Sequence, residues 1–214
     1  MTEAHTAPSD TNPSHVPLGR RERNKQRVKN RLYDAALKLF TEKGYEQTSV
    51  DEIAEEADVA RRTFFNYFQR KEDLIDIWGQ RRRAYLRDEL QHPGRAEDDS
   101  VRLSLERCMK ILAEINESER DLTLVMLAAW VKVGRPMEEA PYTGQIFADI
   151  LEEAKGRGEI SECVNSRRVG YLLRDGYLGT LYRWSLEQDE SLDLRTELYA
   201  LCDIVLNGIA APSR

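Results

Sequence analysis

The chain has 214 residues, 41% hydrophobic and 33% charged, with a net charge of −6; this allows one or two helix-rich globular domains with a sizeable core. No uncharged apolar run approaches the ~20 residues that span a bilayer, and the N-terminal stretch has no apolar signal core, so a cytoplasmic protein without a membrane partner is expected. The three cysteines, Cys108, Cys163 and Cys202, form no CxxC pair, and two of the three histidines, His5 and His15, lie in a polar tail, which argues against a disulfide framework, a metal site, a cofactor or a His-based catalytic centre.

Residues 1–19 are rich in Pro, Ser, Thr and Asn and are expected to be a disordered tail. The charge sign then divides. Residues 20–87 hold 17 Lys and Arg against 12 Asp and Glu, whereas residues 88–214 hold 15 against 24. A polyanion would dock on the basic third and be repelled by the acidic remainder.

The run RRERNKQRVKNR, residues 20–31, holds Arg20, Arg21 and Arg23 ahead of the packed helical face and suggests a basic arm for DNA backbone or minor groove, a solvated helix surface being the alternative. Val28, Leu32, Ala35, Ala36, Leu39 and Phe40 recur at helical spacing, and Gly44 is a natural stop. Thr48 or Ser49 can cap a second short helix, with Glu52 three residues after Ser49 as in a capping box. Asp58-Val59 reads as a tight turn. A third helix is expected over about 60–67 and a fourth over 71–90, ending before His92-Pro93-Gly94.

Two short helices joined by a tight turn and braced by a third make a helix-turn-helix, whose second helix enters a major groove about 12 Å wide. Phe64 and Phe68, one turn apart, can anchor that helix inward. Arg61, Arg62, Thr63, Phe65 and Asn66 are left nearer the outside, with the choice of Arg61 or Arg62 as base reader open. Tyr67 can bring its hydroxyl, and Lys71 its ammonium beside free helix N–H groups, to a phosphate.

The stretches "ALKLFTEKGYEQTSV", "IAEEADVARRTFFNYF" and "KEDL", in this order within residues 28–78, resemble the DNA-binding domain of the tetracycline-repressor (TetR) family. The resemblance covers about a quarter of the chain. It implies an all-α homodimer with a helix-turn-helix domain over 20–70 and a ligand-binding and dimerisation domain over 71–214. It also implies DNA contact by Thr48, Arg61, Arg62, Thr63, Phe65, Asn66, Tyr67 and Lys71, with Thr48, Tyr67 and Lys71 on phosphates. The chain departs from the family pattern in four places. Asp58 stands where Gly is frequent and tolerates a left-handed backbone, Ala60 stands for Ser or Thr, Phe65 stands for Tyr, and Arg70 lacks a small polar cap.

Five further helices are expected near 98–116, 119–133, 142–156, 166–187 and 192–210, interrupted at Gly134 and Pro136, Pro141, Gly156 and Gly158, and Asp189 to Ser191. Met109, Met126, Trp130, Phe147 and Tyr177 can line a cavity for an apolar or aromatic small-molecule effector. Each alone fits core or dimer interface better than ligand contact. Gly176 and Gly179 sacrifice helix propensity for close helix approach or for ligand space. Val169, Leu172, Leu173, Gly176, Leu181 and Trp184, with Leu194, Leu198, Leu201, Val205 and Ile209, can close a four-helix homodimer interface, packing within one subunit alone being the alternative.

The expected function is a ligand-responsive repressor on a near-palindromic double-stranded operator, released by its effector. An enzyme lacks support, since carboxylate pairs such as Asp98-Asp99 and Glu152-Glu153 are adjacent in sequence rather than facing. An architectural DNA binder would want basic surface throughout.

Overall fold

A computed structural model of the chain describes residues 19–91, 99–133, 143–187 and 192–208. Residues 1–18 of the expected tail over 1–19, the His92-Pro93-Gly94 break, the interruptions at Gly134, Pro136, Pro141 and Asp189 to Ser191, and Ile209 lie outside these residues. The helices are α1 Arg20–Lys43, α2 Val50–Glu56, α3 Arg61–Phe65, α4 Asp73–Gln91, α5 Val101–Ser118, α6 Arg120–Val133, α7 Thr143–Gly156, α8 Ser166–Leu186 and α9 Leu194–Asn207. The described residues contain no strand. None of their helices is long and apolar enough to cross a membrane.

Local sequence explains the first three helices. The apolar stripe of α1 buries Leu32, Ala36 and Phe40 completely, and α1 ends where Gly44 takes φ 88°. Ser49 and Glu52 cap α2 reciprocally: Ser49 Oγ accepts from the Glu52 N–H at 3.2 Å, and Glu52 Oε2 accepts from the Ser49 N–H at 2.8 Å. Asp58 has φ 50°, the left-handed conformation that the tight turn requires. Helix α3 is shorter than expected, because residues 66–67 already form a turn.

The fourth helix begins at Asp73, two residues later than expected. Asp73 Oδ2 accepts from the backbone N–H groups of Gln69, at 2.7 Å, and Arg70, at 3.2 Å. That carboxylate ties the turn after α3 to the start of α4. From there α4 runs out of the helix-turn-helix unit, with Leu74, Ile75, Trp78 and Leu86 buried.

Glycines set two helix approaches in the body. A Cβ on Gly170 would stand 2.4 Å from the carbonyl oxygen of Gly144 and 2.7 Å from the amide nitrogen of Ala148, so α7 and α8 touch backbone to backbone. A Cβ on Gly176 would lie 2.7 Å from the Leu201 side chain, so Gly176 serves α8–α9 packing within the chain. Gly179 has no such neighbour within 4 Å. Cys108 and Cys202 are buried in the core. Burial pushes both thiols up, Cys202 to about 12, which suits packing rather than nucleophilic chemistry.

Candidate nucleic-acid interface and ligand cavity

The inner side of the helix-turn-helix is a ring stack. Phe64 is wholly buried and Phe68 nearly so, with centroids 5.2 Å apart. Once those two rings face inward, the helical period turns Arg61, Arg62, Phe65 and Asn66 outward, and all four are exposed. Phe65 keeps 46% of its surface in solvent, a costly position for a free ring. Thr63 and Tyr67 are half-buried at the edge of this face.

The two arginines differ. Arg61 Nη1 meets Asp51 Oδ2 at 2.5 Å, with both side chains about 60% exposed. An ion pair this wet contributes little to stability and yields readily to a phosphate. Its guanidinium also stands 5.7 Å from the Phe65 ring centre. Arg62 has no hydrogen-bond or ion-pair partner among the described residues and projects into solvent. Beside them, Arg21, Asn24 and Lys25 of α1 line a surface recess together with Asn66 and Tyr67. The basic start of α1 therefore adjoins the exit of α3. Arg20, Arg21 and Arg23 belong to this helix, which corrects the expectation of a separate arm.

Of the expected phosphate contacts, Thr48 needs correction and Lys71 is engaged within the protein. Thr48 is 2% exposed. Its hydroxyl donates to the carbonyl oxygens of Gly44, at 2.9 Å, and Leu39, at 3.3 Å. It fastens the α1–α2 turn and does not reach the surface. Lys71 Nζ donates to the carbonyl oxygens of Tyr45, at 2.7 Å, and Thr48, at 2.9 Å, and stands 4.1 Å from the Tyr45 ring centre. Two of the three ammonium hydrogens are used inside the protein, so Lys71 chiefly locks the α1–α2 turn to the α3–α4 turn.

One residue of this unit escaped sequence reasoning. Arg31 of α1 donates to the carbonyl oxygens of Ala57 and Asp58, where α2 ends. It satisfies carbonyls that the helix terminus leaves orphaned and braces the turn before α3. Nothing in its basic surroundings distinguishes it from Arg27 or Lys29.

In the body, a cavity of about 70 Å³ lies between α4, α5, α6 and α8. Trp78, Arg82, Leu112, Leu127, Trp130 and Tyr177 are among its walls. Of the five expected ligand residues, the cavity brings together Trp130 and Tyr177. Met109, Met126 and Phe147 are wholly buried core residues and do not line it, because their helix faces turn into the packing between helices.

The cavity wall carries an unexpected cation. Arg82 Nη1 donates to Asn116 Oδ1 at 3.1 Å, and Nη2 to Glu119 Oε2 at 2.8 Å and Thr123 Oγ1 at 3.0 Å. Its guanidinium lies 4.3 Å from the Trp78 ring centre. Burial pulls its pKa below the usual arginine range, though never far enough to discharge it. Asn116 Nδ2 donates in turn to the Tyr177 hydroxyl at 3.0 Å, and burial holds that phenol above its usual range. On the preceding residue, Arg81 reaches the other way. It lies 3.8 Å from the Tyr33 ring centre and donates to Asn30 Oδ1 at 2.9 Å, both on α1. Consecutive residues of α4 thus hold the cavity and the DNA-binding unit.

Comparison with known proteins gives concordant results. Residues 32–76 match the family model described as bacterial regulatory proteins, tetR family. The chain is 27% identical over 182 residues to the transcriptional repressor KstR of Rhodococcus jostii, covering 83% of this chain and 82% of that protein. It is 39% identical over 74 residues to the regulator TcmR of Streptomyces glaucescens, a match that spans 33% of that protein. The crystal structure of Thermus thermophilus FadR, a TetR-family transcriptional repressor in complex with lauroyl-CoA, superposes with a TM-score of 0.71. It is 30% identical, with 87% of this chain and 98% of that one covered. Bacillus subtilis FadR, at 20% identity and a TM-score of 0.64 over 85% of this chain and 99% of that one, shares the fold.

Proposed function

Because the chain belongs to the TetR family of bacterial regulatory proteins, we propose that it represses transcription as a homodimer whose two α3 helices read successive major grooves of a near-palindromic operator. The observation that carries this reading is the division of α3: Phe64 is wholly buried, while Arg61, Arg62, Phe65 and Asn66 stand in solvent. Arg61 and Arg62 are assigned to DNA, with Thr63, Phe65 and Asn66 completing the groove-facing surface and Tyr67 at its phosphate edge. Lys71 offers at most its remaining N–H, and Thr48 acts by fixing the turn.

The dimer forms through α8 and α9. Leu172, Tyr182 and Leu186 on α8 and Ile204 on α9 are exposed apolar residues, and Gly179 leaves open space between Leu172 and Tyr182 along α8. Such a face favours pairing with a second copy. Dimerisation sets the two recognition helices about 34–36 Å apart, one turn of duplex.

A small-molecule effector enters the cavity at Trp130 and Tyr177 and moves α4. With Arg82 on the cavity and Arg81 on Tyr33 and Asn30, a shift of α4 turns α1 and its recognition helix and spoils the spacing. The apolar walls suit an apolar or aromatic body. The lauroyl-CoA held by the Thermus FadR makes acyl compounds the first effectors to try. The test is selection of bound duplexes from a random pool, followed by operator titration with acyl compounds. An operator whose affinity ignores every compound that binds the cavity would refute the effector mechanism.

A further inference from the structure

We propose that the effector cavity is built for an apolar body carrying a carboxylate, and that Arg82, Trp78, Trp130 and Tyr177 receive this oxyanion. The inference rests on the reading of the cavity as the effector site and adds the chemistry the site selects.

The argument is a count of donors against acceptors. Trp78 and Trp130 are each more than nine-tenths buried, both line the cavity, and neither indole N–H has a hydrogen-bond partner. Arg82 Nε is likewise buried without one, although its two Nη atoms are bonded. The Tyr177 oxygen accepts from Asn116, and its own proton has no acceptor among the described residues. Asn116 cannot help, because its oxygen receives Arg82 and its amide serves Leu112 and Tyr177.

Buried N–H donors without acceptors are costly, and native structures seldom leave several together. Here the residues that carry the unmet donors, Trp78, Arg82, Trp130 and Tyr177, all line one cavity. Its charged residues, Arg82, Arg83 and Arg174, are all cations, and no Asp or Glu is part of its wall. Arg174 is neutralised by Asp175 at 2.5 Å, whereas the carboxylate on Arg82 belongs to Glu119, whose side chain is 56% exposed. A ligand oxyanion would meet the indole N–H groups and the free Arg82 Nε while adding negative charge where the wall has none. A neutral alcohol offers one weak acceptor, and a plain alkyl chain offers none. Leu112, Leu127 and Leu181 provide the apolar remainder of the site.

Calorimetric titration of the full chain with hexanoate through laurate, the matching primary alcohols, and lauroyl-CoA tests this. The expected result is carboxylate binding about 10- to 100-fold tighter than the alcohol of equal length, as hydrogen bonds to a charged group imply. Trp130→Phe keeps the ring and deletes one donor, and Arg82→Gln removes the charge. In both, the ratio of carboxylate to alcohol affinity shrinks, a readout that general destabilisation leaves in place. Trp78→Phe serves as the further variant should Arg82→Gln fail to fold.

Equal affinities for acid and alcohol, binding of lauroyl-CoA with laurate silent, or no binding by any compound would overturn the assignment. Operator binding by the ligand-free chain is measured alongside. Its loss sinks the repressor reading, whereas intact operator binding with indifferent acid and alcohol sinks only the carboxylate site.

Discussion

The Arg81 guanidinium lies 3.8 Å from the centre of the Tyr33 ring. That contact joins α4 to α1, one residue from the cation that lines the cavity. Arg81 itself is exposed over a buried ring, and a cation–ring contact with a solvated cation contributes about 0.5–1 kcal/mol. Arg81→Gln is therefore expected to weaken the link between effector and operator: the effector-induced change in operator Kd falls by about two- to fivefold. Anisotropy titrations with and without effector measure it, and an unchanged ratio would show that coupling takes another route.

Phe64 and Phe65 are neighbours with opposite duties. Phe64→Ala removes a wholly buried ring and is expected to cost about 3–5 kcal/mol of folding stability. Phe65→Ala, at a ring 46% exposed, should change stability by no more than about 0.5 kcal/mol while lowering operator affinity. Urea unfolding paired with operator binding separates the two. Similar stability losses for both would mean that α3 is seated differently.

Backbone contact between α7 and α8 leaves no room at Gly170. Gly170→Ala must part the helices and should destabilise the chain by about 1–3 kcal/mol. Gly179→Ala meets nothing within 4 Å inside the chain. Its effect should appear instead as easier dissociation of the dimer in sedimentation equilibrium. A dimer as tight as wild type would place the partner elsewhere.

The capping box gives an acid limb to stability. Hydrogen bonds from Lys43 and from the Ser49 backbone and hydroxyl lower the Glu52 carboxyl from 4.5 to about 2. A depressed folded pKa stabilises fully above the unfolded value and loses that contribution as pH falls toward the folded one. Stability should thus decline from roughly pH 4.5 toward pH 2, and Glu52→Gln should flatten that part of the curve in pH-dependent urea unfolding. A variant whose acid limb matches wild type would assign the effect to other carboxylates.

Legibility in the sequence followed the range of the interactions. The capping box at Ser49 and Glu52, the stop at Gly44, the left-handed Asp58 and the inward Phe64 and Phe68 are set by neighbours within a few residues, so spacing revealed them. Thr48 and Lys71 were assigned to phosphates because their partners, carbonyls of Leu39, Gly44 and Tyr45, depend on how the turns pack. The cavity was harder. Met109, Met126 and Phe147 share helical periodicity with Trp130 and Tyr177, and apolar periodicity does not tell core from cavity wall. Arg82 stood in the run Arg81 to Arg83, which resembles a solvated stripe. Only the fold shows one arginine on Tyr33 and the next against Trp78.

Operator affinity of Arg62→Ala tests the central claim most directly. Arg62 is exposed and unbonded among the described residues, so its removal should leave the melting temperature unchanged. If the outward face of α3 reads DNA, the operator Kd rises by about tenfold or more, as loss of an arginine contact costing ~1–3 kcal/mol implies. A folded Arg62→Ala dimer that holds the operator as tightly as wild type would contradict it.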